Sequence, residues 1–401
     1  MNLLLVDDEV FALKVLTRQL AQIGYDRVLA FERAADAMAY LDGHLHDVDV
    51  VFCDLQMPDV DGVECVRHLA HAGYRGALVV ISAEDDRILH AAEKLAQVHR
   101  MTVLGVLSKP VTTQRLRELM DRYATLRGST PGQGRRQFSA REVKRAIDQA
   151  ELVNHYQPKV AMDTAALMGV EALVRWQHPQ EGLVFPDQFI SVAEEHGLID
   201  ALTVAVLDMA LRQARQWQDE GLALHMAVNV SMDSLAALDF PDAVVEQVRR
   251  ADIALATLTL EVTESRLMRD MRAQLDTLAR LRLKHIGLSI DDFGTGHSSL
   301  VQLRDVPFNE LKLDGSFVTG AASNGSLKAI VAATLAMARQ LGMTSVAEGI
   351  ESREDWDFLR RLGCDVAQGY FIARPMPGDA LPAWSREWEM RRDVLTAQAF
   401  V

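Results

Sequence analysis

The stretch Ile286-Gly287-Leu288-Ser289-Ile290-Asp291-Asp292-Phe293-Gly294-Thr295-Gly296 is an apolar run that ends abruptly in two adjacent carboxylates and a glycine-rich turn. Its length and its Ile and Leu content suit a buried strand, since a buried helix would need about twice the length. The two acids then stand at the C-terminal end of that strand, where α/β barrels and open parallel sheets place their chemistry. Neighbouring carboxylates repel each other unless a cation lies between them. Asp-Asp alone reads more simply as a helix N-cap before a glycine turn, and it is the other acids of the chain that favour a site.

On either side of this stretch the same pattern recurs. Strands are expected at Asn154 to Val160, Leu167 to Arg175, Leu224 to Asn229, Thr257 to Val262, His285 to Ile290, Glu310 to Leu313, Thr344 to Ala347 and Asp365 to Ala367, with helical stretches between most of them. Eight strands interleaved with helices in about 250 residues predict a TIM-like α/β barrel. At or just beyond the strand ends stand Glu171, Asn229, Glu261, Asp291 with Asp292, Lys312 and Glu348. Five acids and an amide converging on one barrel mouth cannot all be ionised without a counter-charge, which implies one or two hard divalent cations on oxygen ligands. Two such cations bridged by carboxylates activate water and stabilise the leaving oxygen of a phosphodiester. A side chain such as Lys312 can neutralise the charge that develops in the transition state.

Beyond these acids, Tyr156-Gln157-Pro158-Lys159-Val160, Glu171-Ala172-Leu173-Val174-Arg175-Trp176, Asn229-Val230-Ser231, Glu261-Val262-Thr263-Glu264, Asp291 to Gly296, Lys312-Leu313-Asp314, Ala347-Glu348-Gly349-Ile350-Glu351 and Gln368-Gly369-Tyr370 with Arg374-Pro375 resemble the EAL family of cyclic di-GMP phosphodiesterases over about residues 140 to 380. The resemblance implies a Mg²⁺- or Mn²⁺-dependent enzyme that linearises cyclic di-GMP to pGpG. It implies Glu171, Asn229, Glu261 and Asp291 on one metal, and Asp291, Asp292 and Glu348 about a second. It implies Glu348 as general base, Lys312 on the nucleophilic water or the phosphate, Glu264 as the brace of the loop that begins at Phe293, and Gln157, Arg175, Asp314 and Gln368 about the substrate. His297 stands where many relatives carry Tyr or another residue.

The first 125 residues alternate five short apolar strands (Leu3 to Val6, Arg27 to Ala30, Val48 to Cys53, Ala77 to Ser82, Thr102 to Leu107) with helix-like stretches, the pattern of a doubly wound, flavodoxin-like five-stranded parallel sheet. Their ends carry Asp7 and Asp8, Asp54, Ser82, and Lys109 followed by Pro110. Clustered carboxylates suit Mg²⁺, Asp54 would then be a nucleophile toward a phosphoryl group, and Lys109 could pair with the charge of the product. With Asp54-Leu55-Gln56-Met57-Pro58 and Asp61-Gly62, this set resembles a response-regulator receiver domain. The resemblance implies phosphorylation of Asp54 by a histidine kinase, Mg²⁺ on Asp7 and Asp8, and Ser82 and Lys109 against the phosphoryl group. Where receivers usually place a switching Tyr or Phe, this chain has Val106.

Between the halves, Arg127 to Arg136 is rich in Gly, Pro and polar residues, so the expected division is a receiver at 1–125, a linker at 126–138 and a barrel with a C-terminal helix at 139–401. Ser139, with Glu142 three residues on, reads as a capping box. The formal net charge of −14 argues against a nucleic-acid polymer as partner. Cys53, Cys65 and Cys364 lack ligand spacing, and no apolar stretch approaches the roughly 20 residues a membrane span needs, so a cytoplasmic protein without structural disulfides is expected. Trp384 and Trp388 fall in an amphipathic helix expected to pack on the barrel or on a second subunit of a homo-oligomer. Two other readings share the pattern: a catalytically silent cyclic di-GMP sensor, and a receiver-driven interaction protein with a vestigial barrel. Degenerate barrels lose metal ligands, and none is missing here.

Overall fold

A computed structural model describes residues 1–58, 62–82, 101–128, 138–263, 271–295 and 300–397. It forms two compact units that divide between Gly134 and Arg135. Of the linker expected at 126–138, residues 129–137 lie outside the described residues, as do Asp61, Glu264, Gly296 and His297.

In the first unit β1 (Leu3–Val6), β2 (Val28–Phe31), β3 (Val50–Asp54), β4 (Ala77–Ser82) and β5 (Thr102–Ser108) form one parallel sheet in the order β2-β1-β3-β4-β5. All residues of β1, β3 and β4 are buried, as expected of a parallel sheet covered on both faces. Alternate residues feed two separate cores: Leu4, Val6, Val51 and Cys53 face one, and Leu3, Leu5, Val50 and Phe52 the other. Val106 is half-buried against the first of these cores. The helix Gly62–His71 follows β3 closely because Gly62 has no side chain: a Cβ there would stand 2.3 Å from the Asp54 carbonyl oxygen.

The second unit opens with the expected capping box. Glu142 N donates to Ser139 Oγ at 3.4 Å, and Ser139 N donates to Glu142 Oε2 at 2.9 Å. The eight expected strands are present as β6 (Leu152–Ala161), β7 (Leu167–His178), β9 (His225–Asn229), β10 (Leu258–Thr263), β11 (Gly287–Phe293), β12 (Glu310–Leu313), β13 (Thr344–Ala347) and β14 (Val366–Ala367), with short β8 (Gly182–Val184) and β15 (Met376–Pro377) added at the rim. They close in the order β6-β14-β13-β12-β11-β10-β9-β7, β7 pairing back onto β6. Seven of the eight run in the same direction around the ring. β6 is antiparallel to both β7 and β14. The cause is the five-residue connection from β6 to β7, long enough for a hairpin and too short for the crossover that a parallel neighbour requires.

Apolar side chains from strands and surrounding helices make one continuous core that includes Trp176, Trp217, Trp356 and Trp388. The helix Leu381–Ala397 packs onto it, with Trp388 Nε1 donating to Ala165 O at 2.7 Å and Trp384 stacked 5.5 Å away. Among the described residues no helix is long and apolar enough to cross a membrane.

Candidate active site in the barrel and acid pocket in the receiver

The barrel site begins with an irregularity in β11. Successive side chains of a regular strand point to opposite faces, so Asp291 and Asp292 could not share one site. The register between β11 and β12 slips between Ile290 and Phe293, and Asp292 has a φ of +55°, a conformation Asp adopts more readily than most residues. This bulge brings one carboxylate oxygen each of Asp291, Asp292 and Glu348 within 4.8 Å of one another. Glu348 follows β13 directly, and its position depends on glycine. Gly349 has φ +64°, and a Cβ on it would stand 2.8 Å from Gly315 Cα.

Lys312, from β12, is 1 % exposed. Its Nζ lies 2.6 Å from Glu348 Oε1, 2.8 Å from Glu261 Oε2, 3.0 Å from Asp291 Oδ1 and 3.5 Å from Glu171 Oε2. Burial alone would lower its pKa, but the four carboxylates outweigh burial and hold it well above the usual lysine value. Asn229 Nδ2 donates to Glu171 Oε1 at 2.8 Å and to Glu261 Oε2 at 3.4 Å. Gln368 Nε2 donates to Glu171 Oε2 at 2.6 Å and to Gln157 Oε1 at 3.1 Å. A cavity of about 390 Å³ opens onto this cluster, lined among others by Gln157, Glu171, Asp291, Lys312, Glu348 and Gln368.

The acids do not titrate alike. Burial and the neighbouring Glu261 push Glu171 up to about 7, and burial, only partly offset by Lys312, pushes Glu348 up to about 8. Glu261 is fully buried as well, yet Lys159 and Lys312 overcome that burial and bring it down to about 2. With Glu310 on Lys159 and Asp292 beside Asp291, six carboxylates thus stand about two ammonium groups. The excess of negative charge favours additional positive charge, and the donor set is oxygen-rich, as hard divalent cations require.

Of the residues singled out in the sequence, Glu171, Asn229, Glu261, Asp291, Asp292, Lys312, Glu348, Gln157 and Gln368 are brought together. Arg175 is buried next to them, with Nη1 donating to Val174 O at 2.8 Å and its guanidinium 5.0 Å from the Phe185 ring centre. Asp314 does not line the cavity: it caps the short helix Gly315–Val318, accepting from Ser316 N at 3.0 Å. Sequence reasoning passed over Lys159, a buried lysine on β6 that pairs with Glu261 Oε1 at 2.6 Å and Glu310 Oε1 at 3.3 Å. Its signal was present, since Lys159 stands two residues after Gln157 and therefore on the same strand face. Leu173, Glu351 and Tyr370, which also line the cavity, were missed as well.

In the receiver, one carboxylate oxygen each of Asp7, Asp8 and Asp54 lie within 4.8 Å of one another. Lys109 Nζ reaches Asp54 Oδ2 at 2.7 Å and Asp7 Oδ2 at 2.9 Å. Asp54 Oδ1 accepts from Gln56 N at 3.1 Å. Burial raises the Asp54 pKa despite the hydrogen bond from Lys109. Ser82 is buried at the end of β4, its carbonyl accepting from Lys109 N at 2.9 Å. The pocket over Asp54 has a volume of about 550 Å³ and is lined by Asp8, Glu9, Gln56, Met57, Pro58 and Lys109 among others.

Comparison with known proteins finds relatives of both units. The EAL domain family matches residues 140–375 and the response regulator receiver domain family residues 3–121. The chain is 34% identical over 384 residues to the cyclic di-GMP phosphodiesterase RocR of Pseudomonas aeruginosa, a match covering 94% of this chain and 96% of that one. It is 44% identical over 243 residues to the bifunctional diguanylate cyclase/cyclic di-GMP phosphodiesterase MucR of the same species, covering 60% of this chain but 36% of MucR. Among solved structures, the PaMucR phosphodiesterase in complex with c-di-GMP superposes with a TM-score of 0.57 at 44% identity, covering 60% of this chain and 98% of that one. The EAL enzyme Bd1971 with cAMP and cyclic-di-GMP bound gives 0.58 at 29% identity, covering 70% and 79%. The chain belongs to the EAL domain family, and its barrel is fused to a response regulator receiver domain.

Proposed function

We propose that the barrel hydrolyses cyclic di-GMP to linear pGpG and that phosphorylation of Asp54 regulates it. The observation that carries this reading is the buried Lys312 ammonium among Glu171, Glu261, Asp291 and Glu348, beside the Asp291–Asp292–Glu348 cluster on the floor of one cavity. The names of RocR and PaMucR support the choice of substrate. Glu171, Asn229, Glu261 and Asp291 would hold one divalent cation, and Asp291, Asp292 and Glu348 a second. Bound there, Mg²⁺ or Mn²⁺ would lower the pKa of a water molecule and neutralise phosphodiester charge.

The protein's own groups do the rest. Glu348, whose carboxyl favours the protonated form more than an ordinary glutamate, accepts the proton of the attacking water. Lys312 stays charged and lies against the oxygens that gain charge in the transition state. Gln157 and Gln368, tied to each other and to Glu171, give the cavity a rigid amide wall for substrate phosphate and sugar. We assign Arg175 and Asp314 to the outer substrate contacts and Glu264 to bracing the loop after Phe293. In the receiver a histidine kinase donates the phosphoryl group to Asp54, with Mg²⁺ on Asp7 and Asp8 and with Ser82 and Lys109 against the phosphoryl oxygens. The working unit would be a homo-oligomer in the cytoplasm, with domains at 1–125 and 139–401. Turnover of cyclic di-GMP by the full chain with Mg²⁺, and its loss on chelation, tests the reading. Binding without turnover in Mg²⁺ would identify a sensor instead.

A further inference from the structure

The receiver's two thiols take no part in the chemistry derived so far. Cys53 precedes Asp54 at the end of β3, and Cys65 stands in the first turn of the helix Gly62–His71. Both are free, both are 0 % exposed, and both face the same core. The Cys53 S–H has two acceptors: Cys65 Sγ and, at 3.3 Å, Asp54 O. That same carbonyl is the one against which Gly62 packs without a side chain, and Gly62 N donates to Leu55 O at 3.0 Å. The two sulfurs therefore meet across a close contact between the phosphoacceptor's own peptide and the helix that follows it. A buried thiol is ordinarily inert, because the thiolate is the nucleophile. Here the hydrogen bond from Cys53 lowers the Cys65 pKa against the effect of burial, while the same bond and burial hold Cys53 well above the usual thiol value. The pocket over Asp54, about 550 Å³ and lined by Asp54 and Leu55, admits a small oxidant to the residue next to Cys53.

We propose that Cys53 and Cys65 form a redox-modification site that hydrogen peroxide closes to a disulfide, and that this bond hinders Asp54 from accepting a phosphoryl group. The Cys65 thiolate attacks one peroxide oxygen, the O–O bond breaks, and the other oxygen leaves as hydroxide and takes up the proton that Cys65 released. Cys65 is then a sulfenic acid. The Cys53 sulfur attacks the sulfenic sulfur, the S–S bond forms as the S–O bond breaks, and the hydroxyl leaves as a second water with the Cys53 proton. Two thiols are oxidised and one peroxide is reduced to two waters. An S–S bond of about 2.05 Å draws strand and helix together where Gly62 already leaves no room for an added atom. The S–H bond to the Asp54 carbonyl is lost at the same time. The Asp54 carboxylate, held by Gln56 N at 3.1 Å and Lys109 Nζ at 2.7 Å, moves with its peptide, and a misplacement of about 1 Å costs up to about 10²-fold in rate. The disulfide stands on the placement of the thiols, and its effect rests on Asp54 being the phosphoacceptor as set out above.

The test treats the full-length protein with hydrogen peroxide, removes the excess with catalase, and then offers acetyl phosphate and Mg²⁺. Mass spectrometry reads the cysteines in a non-reduced digest and the phosphoryl group on the intact chain. A peptide pair linked through Cys53 and Cys65 should appear, phosphoryl uptake should slow by about tenfold or more, and a thiol reductant should restore it. Cys65→Ala, or Cys65→Ser should the alanine variant not fold, should take up the phosphoryl group at the rate of the reduced parent and keep that rate after peroxide. Treated parent without the Cys53–Cys65 link overturns the site. A link with unchanged uptake overturns its effect on Asp54, and so does a loss of uptake that the Cys65 variant shares, because another oxidised residue would then be responsible. A reduced parent that takes up no phosphoryl group would overturn the reading of Asp54 itself, a distinguishable result.

Discussion

The receiver pocket and the barrel mouth are assembled from the same parts, strand-end carboxylates and a lysine, and differ in how tightly each acid is held. In the receiver one lysine, about one-fifth exposed, reaches Asp7 and Asp54, and the space over Asp54 is open. In the barrel Glu171, Glu261, Asp291 and Glu348 all contact Lys312, and Glu261 is held by Lys159 as well. Asp54, though buried, borders an open cavity, and a carboxylate so placed can become a nucleophile. Carboxylates fixed from several sides serve instead as ligands or proton acceptors. The difference between the two pockets lies in the surroundings of the acids.

The sharpest way to break that contrast is to remove a barrel acid. Glu171→Ala or Asp291→Ala should cut turnover by roughly 10³-fold or more, because several kcal/mol of charge stabilisation leave with the metal, while circular dichroism stays unchanged. Undiminished rates would mean that the barrel acids are no more essential than surface charges. Next in size, Lys312→Met should lower kcat by about 10²-fold with KM within a few-fold, as for a donor that acts in the transition state. A loss confined to KM would make Lys312 a binding residue. The receiver pocket is probed with beryllofluoride: the full chain should change its rate by a factor within about 5 to 150, and Asp54→Asn should abolish the change. Equal responses from both proteins would detach Asp54 from control of the barrel.

The smallest effect concerns stability and pH. Glu171 and Glu348 titrate near 7 and 8 in the fold against an ordinary value of 4.5, so the folded chain keeps protons that the unfolded chain releases. With divalent metal chelated, stability should therefore fall as pH rises from about 5 to 8, by on the order of 1 to 3 kcal/mol or a few degrees in Tm. Mg²⁺ should flatten the slope, since ligand carboxylates are ionised when a cation binds them. A Tm that rises with pH over this window in chelator would reverse the assigned directions.

Much of this was legible in the chain because buried strands announce themselves. Leu3 to Val6 and Ala77 to Ser82 lie where their apolar runs end in polar residues, and Glu310 to Leu313 and Thr344 to Ala347, though half polar, also lie where expected. Strand polarity leaves no mark in composition, so the reversed β6 could be inferred only from the brevity of its connection to β7. The bulge at Asp292 was hidden for a related reason. Adjacent acids in a strand point apart, and it takes a backbone turned to φ +55° to make them neighbours. Lys159 was hidden by its type, since lysine is among the residues least often buried, and only the two acids across the barrel account for its place.

The reversed strand also dictates when the barrel can be finished. Gln157 on β6 and Gln368 just after β14 bond to each other although 211 residues separate them, and on that side of the ring β6 pairs with β14 and with the short β15 that follows it. On the ribosome, at about 5 to 20 residues per second, the β6–β7 hairpin waits roughly 10 to 40 s for the segment that will cover its free edge. An exposed strand edge invites pairing with a stray chain, and proline and lysine are the residues that discourage it. β6 carries both, as Pro158 and Lys159. The ammonium that later braces Glu261 thus guards the nascent hairpin first, and the cavity wall made by Gln157 and Gln368 is complete only when the last strand of the ring has been synthesised.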